Sequence, residues 1–120
     1  MILARGFTLQ AVLAGAVAAN QPEVHVDSVD HTQEGVQSPN ATQRAALSST
    51  TDVDILAAPV SNPLREVVEV MIYNKDTASV TVTVKTDNGT TERIIVKRTL
   101  TTLQTLFYTR EGGWQVIATA

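Results

Sequence analysis

Hydrophobic and polar positions along this chain repeat with a period of two over long stretches. The clearest is 79–85, where Val80, Val82 and Val84 stand against Ser79, Thr81, Thr83 and Lys85. Neighbouring side chains of a strand point to opposite faces, so the pattern predicts a half-buried strand with its valines inward. Asp87-Asn88-Gly89 follows with turn residues, since Asn and Gly tolerate a positive φ. Glu92–Arg98 then completes a hairpin, with Ile94 and Val96 expected on one face. Arg65–Asn74 is nearly continuous in Val, Met, Ile and Tyr, which predicts a central strand buried on both faces. Thr99–Tyr108 predicts one further strand or two short ones. Arg110-Glu111-Gly112-Gly113 turns the chain into Trp114–Ala118, where Trp114, Val116 and Ala118 share a face.

The first half is patterned more weakly. Leu9, Ala11 and Leu13 alternate with Thr8, Gln10 and Val12, as a first strand would. Met1–Ala19 also carries one Arg and an apolar run ending in small residues, the outline of a secretory signal. Gln10 interrupts that run and Arg5 is a thin basic region, so the strand is the preferred reading and the chain is expected unprocessed. Glu23–Asp30 is a second short strand, with Val24 and Val26 between Glu23, His25 and Asp27. From His31 to Thr51 the chain is polar with no sustained period, and Thr42–Leu47 has at most the makings of one helical turn. A stretch of that kind within a small domain is expected to be a loop that a partner orders.

Seven or eight short strands with turn signals every 8–12 residues or so predict an all-β protein, a small antiparallel β-sandwich or barrel-like body. No window holds the helical i, i+3, i+4 spacing for three turns. Residues 1–57 read as an extended N-terminal arm with short strands and a long polar loop, and residues 58–120 as the β-sandwich body, the two forming one structural domain. About 60 residues alone make a marginal core, so either the N-terminal half adds strands to it or neighbouring subunits complete it.

Composition sharpens this picture. Of 120 residues, 17 are Thr and 16 are Val, and branching at Cβ suits a pleated surface. A compact chain of this size exposes roughly 6,300 Å² and supports one modest core. The absence of Cys excludes disulfides, thiol catalysis and thiolate-held metals. A formal charge of −3 gives no footprint for nucleic acid or an anionic membrane. Seven of the nine cations follow residue 64, whereas residues 1–57 hold six carboxylates against Arg5 and Arg44. Few aromatics interleave the cations, so solvent-facing strand positions, or pairing with the acidic arm of a neighbouring copy, are favoured over single-stranded nucleic acid as the reading of that asymmetry.

Chemistry-bearing clusters are sparse. His25, Asp27, Asp30 and His31 form the only His and carboxylate set with a claim on a metal, and an extended 23–27 would project Glu23, His25 and Asp27 from one face. The spacing matches no established metal motif, and a solvated sheet face explains it as well, so no metal site is assigned. Asp52 and Asp54 share a strand face, which is common without acid–base work. No Gly-x-Ser-x-Gly elbow or Gly-rich phosphate loop is present. Neither a catalytic nor a cofactor-binding residue is expected, and no cofactor.

Several segments resemble small structural proteins of tailed bacteriophages: Leu56-Ala57-Ala58-Pro59, Arg65-Glu66-Val67-Val68, Ile72-Tyr73-Asn74-Lys75-Asp76-Thr77-Ala78 and Val80-Thr81-Val82-Thr83-Val84. Gly89-Thr90-Thr91, Ile95-Val96-Lys97, Thr99-Leu100, Thr105-Leu106 to Tyr108, Gly113-Trp114-Gln115-Val116 and Thr8–Val17 extend the likeness over most of the chain apart from residues 23–50. The resemblance implies a virion component without enzymatic activity. The expectation is a capsid decoration or cement protein on the outer capsid surface, bridging subunits of the major capsid protein and associating with itself as a homotrimer. Nucleic acid and membrane are not expected as partners. Alternatives are a head–tail connector, a tail or fibre attachment protein, or a secreted carbohydrate- or metal-binding β-module. Within the resemblance, Tyr73-Asn74-Lys75-Asp76 reads as a strand end entering a turn, with Asn74 or Asp76 hydrogen-bonding the backbone.

Overall fold

The computed structural model describes residues 1–32, 35, 38, 40–59 and 64–118. Two antiparallel sheets pack face to face. The larger is built from β1 (Ile2–Leu3), β3 (Glu23–His31), β4 (Ala41–Ala46), β6 (Leu64–Tyr73), β9 (Thr105–Thr109) and β10 (Gly113–Ile117), in the order β10-β9-β6-β3-β4. β1 pairs with the first half of β6, where β9 does not reach. The smaller sheet runs β5-β2-β7-β8, from β2 (Thr8–Leu13), β5 (Val53–Leu56), β7 (Val80–Asp87) and β8 (Glu92–Leu100). The expected all-β sandwich is the fold.

The core lies between the sheets and is filled by the inward halves of the alternating strands. Leu9, Ala11 and Leu13 of β2, Val80, Val82 and Val84 of β7, and Val67, Val70 and Ile72 of β6 are all buried. Thr8, Gln10 and Val12 face outward, as the strand pattern predicted. The described part of residues 1–57 packs into the same core. It supplies β1 to β5, and Leu3, Leu9, Val24, Val26, Leu47, Ile55 and Leu56 join the common core. Of the two ways to complete a marginal C-terminal core, added strands is the one seen. The predicted loop 31–50 falls partly outside the described residues, but its 41–46 portion is strand β4 rather than a helical turn. β4 was hidden because it is an edge strand of Ala, Thr, Gln and Arg that is mostly exposed and has no apolar alternation.

Two bulges correct the expected faces. Between Asp27/Ser28 of β3 and their partners Glu69 and Val67, β6 has Val68 as an extra residue. The inward set of β6 thereby switches from Val67 to Val70 and Ile72, and only one face of this central strand is buried. In β8, Val96 opposes Val84 while Ile94 opposes Lys85, leaving Ile95 extra. Ile94 and Val96 consequently lie on opposite faces, and Ile94 is 68% exposed. The Thr99–Tyr108 region resolves into the end of β8, a turn at 101–104 and β9.

The Asn74–Asp76 corner performs the predicted backbone capping with both residues. The Asn74 side-chain amide donates to the carbonyls of Ala78, Leu100 and Thr101, and its oxygen accepts from the Asp76 N–H. The Asp76 carboxylate accepts the N–H groups of Ala18, Ala19 and Asn20 at 2.8–3.0 Å. Those donors, together with the Thr77 N–H, hold its pKa down at about 2, against the desolvation that would raise it. One corner thus ties together the chain after β2, the β6–β7 connection and the end of β8.

Candidate functional site

The four residues with a claim on a metal are spread over both faces of β3. His25, Asp27 and His31 alternate onto the outer face, whereas Asp30 pairs in register with Arg65, whose other neighbour is the buried Leu3. Each is engaged elsewhere. His25 Nε2 lies 3.3 Å from Asp27 Oδ1, and that oxygen also accepts from the Thr42 hydroxyl. Glu23, predicted on the same face, pairs with Lys75 at 3.2 Å. Asp30 takes two hydrogen bonds from the Arg65 guanidinium, at 2.8 and 3.1 Å, and Arg65 also donates to the Ala57 carbonyl. The Arg65 hydrogen bond holds the Asp30 pKa below the usual carboxylate range. His31 Nε2 lies 2.9 Å from Glu66, which also receives Arg110, and these contacts lower the Glu66 pKa. Among the described residues, no group of three His, Asp or Glu is arranged to hold a metal ion.

The Asp52 and Asp54 pair is also separated by its partners. Gln10 on β2 donates to Asp54 Oδ1 at 2.8 Å. Asp52 instead contacts Lys85 Nζ at 2.9 Å, and Glu92 contacts the same ammonium. Lys85 sits on the outward face of β7 as its alternation predicted, yet it is only 8% exposed. Burial alone would lower its pKa, but hydrogen bonds to Glu92 and Asp52 outweigh that and raise it. A lysine held charged in this way is an anchor across β5, β7 and β8, with no free amine for nucleophilic work. Sequence reading missed the cluster because Lys85 occupies an ordinary solvent-side position of the pattern. Its only signal was a carboxylate on the neighbouring strand β8, Glu92, and Asp52 comes from the residue before β5, beyond β2.

Two surfaces combine charged groups with half-buried or exposed apolar ones. The outer face of the larger sheet has a shallow groove of about 280 Å³ lined by Glu23, His25, Arg44, Met71, Tyr73 and Thr105. The free edge of the smaller sheet is β8, nine residues long, with Ile94 and Ile95 exposed beside Arg93, Lys97 and Arg98. The opposite edge is closed differently. There Gln43 of β4 donates to the Asp54 carbonyl and accepts the Ala57 N–H, bridging the two sheets over β5. The signal for β8 was present in the adjacent Ile94-Ile95, which no strictly alternating strand accommodates on one face.

Fold and surface together define a two-sheet antiparallel sandwich whose described charged clusters are paired internally and which keeps a groove on one sheet face and open strand edges, β8 and β10 among them. Among the described residues no helix is long and apolar enough to cross a membrane. No family model, curated protein sequence or solved structure matches the chain.

Proposed function

We propose that the protein is a structural component of a tailed-phage virion, a decoration or cement protein on the outer capsid surface that bridges major capsid subunits. The observation that carries this reading is the contrast between interior and rim. The ionisable clusters at Lys85, Asp30–Arg65 and Glu66 are closed by their own neighbours, while exposed isoleucines stand on open edge strands, Ile94 and Ile95 on β8 and Ile117 on β10. Such a body has its binding capacity on the outside. The resemblance of segments over most of the chain to phage structural proteins suggests the virion setting, and association as a trimer at local threefold positions suits a bridging role. The architecture suits a cement, because a rigid sandwich transmits load between the subunits it touches without rearranging.

The test is reconstitution. Purified protein added to capsids that lack it is expected to bind saturably and to raise the temperature at which those capsids rupture. Failure to bind, or recovery of the chain from the tail fraction alone, overturns the decoration role; the second result replaces it with a connector or tail-attachment role.

A further inference from the structure

We infer that the β8 edge is a docking site for an extended, acidic strand of another protein, which would extend the smaller sheet by β-augmentation. The inference stands on the edge itself and does not depend on the virion setting.

β8 ends the sheet, with its only ladder running to β7. An edge strand presents unpaired N–H and C=O groups, and nine residues is ample length for an incoming strand to register against. The bulge at Ile95 turns Ile94 outward, where it is 68% exposed, and leaves Ile95 exposed as well. These give a partner apolar side chains to rest on. The edge is not neutral, however. Lys97 lies on the outer face beside Thr83. Arg98 opposes the inward Val82, and Arg93 opposes Thr86, the partner of the buried Leu9. The last two are inward-register cations that nevertheless remain exposed at the open rim of the sandwich. Among the described residues none of the three forms an ion pair with a carboxylate; Arg98 donates instead to the Lys97 carbonyl at 3.0 Å.

That charge decides the occupant. A second copy pairing β8 against β8 would bring six cations into one seam, and charged residues on an edge are a recognised device against such self-pairing. Pairing β8 with the acidic β5 edge of another copy meets the Gln43 bridge, which already occupies that rim. A strand rich in Asp or Glu with alternating apolar residues meets neither obstacle, since it offers carboxylates to Arg93, Lys97 and Arg98 and apolar side chains to Ile94 and Ile95.

The test uses the full chain, isotopically labelled, and two synthetic probes of about ten residues, one alternating Glu with Val and one alternating Lys with Val. The Glu/Val peptide is expected to slow hydrogen exchange of β8 amides and to bind at least about tenfold more tightly than the Lys/Val peptide, the discrimination that a few exposed ion pairs supply. The triple variant R93E/K97E/R98E is expected to reverse that preference, and R93Q/K97Q/R98Q, which keeps the edge uncharged, to erase it. Protection of β8 by neither peptide, equal binding of both, or protection confined to β4 or β10 overturns the proposal. So does a concentration-dependent dimer with β8 protected in the absence of peptide, which would make a second copy the occupant.

Discussion

Asp76 shows how much of this fold hangs on single polar residues. Its carboxylate closes three backbone donors of the segment after β2, and its folded pKa of about 2 lies below the ordinary 3.8. A carboxylate with a depressed folded pKa gives stability that is complete above its unfolded pKa and is lost as pH falls through the folded one. Acid titration of stability should therefore show a loss between about pH 4 and pH 2 to which Asp76 contributes. Asp76→Asn is expected to be less stable than the parent at neutral pH, with the difference between the two shrinking over that window in chemical-denaturation curves. A constant difference at all pH values would place the effect elsewhere. Lys85 makes a second residue-scale case. Lys85→Met keeps the buried stem and loses both ion pairs, and with Asp52 and Glu92 partly solvated the loss should be about 1–2 kcal/mol by urea denaturation. The double variant with Asp52→Asn should then lose little more, because both substitutions remove the same contact.

At the scale of elements, the two bulges separate what was legible in the sequence from what was not. β2 and β7 could be read directly: Leu9, Ala11 and Leu13, then Val80, Val82 and Val84, are inward because a regular period of two survives intact in the chain. The Asn74–Asp76 corner was legible for a different reason, since short polar side chains at a strand end have few other roles. β6 and β8 were misjudged at their faces because one extra residue, Val68 or Ile95, inverts everything beyond it, and that inversion is decided by the partner strand. The same limit applies to the candidate metal residues. Their alternation was visible, but Arg65 and Glu66, which capture Asp30 and His31, approach from a strand 35 residues away. Deletion of Thr83, which stands between the inward Val82 and Val84 of the regular strand β7, should consequently turn valines on one side of it out of the core and cost more than about 3 kcal/mol by thermal or urea unfolding. Deletion of Ile95 lies on a solvent-exposed edge and should cost about 1 kcal/mol, with the fold retained. Equal losses for the two deletions would contradict the assigned registers.

The whole molecule explains why so thin a stock of large side chains suffices. Its accessible surface is 6464 Å², close to the value expected for a compact chain of this length, so burial between subunits is not needed to complete the core. What completes it is the N-terminal half, with β2 between β5 and β7 and β3 between β4 and β6. Removal of residues 1–19 takes away β1 and β2 together with two of the three donors after β2 that Asp76 accepts, and the truncated chain is expected to lose cooperative unfolding, as followed by circular dichroism. A truncated chain that still melts cooperatively near the parent temperature would show that the first strands are dispensable. With the core closed inside one chain, the groove on the outer face of the larger sheet and the open edges β8 and β10 remain on the surface.

Cryo-electron microscopy of virions containing this chain tests that assignment most directly. The account predicts density for the sandwich on the outer surface of the head, spanning adjacent major capsid subunits. Density confined to the tail or connector, or to the interior of the head, would contradict it.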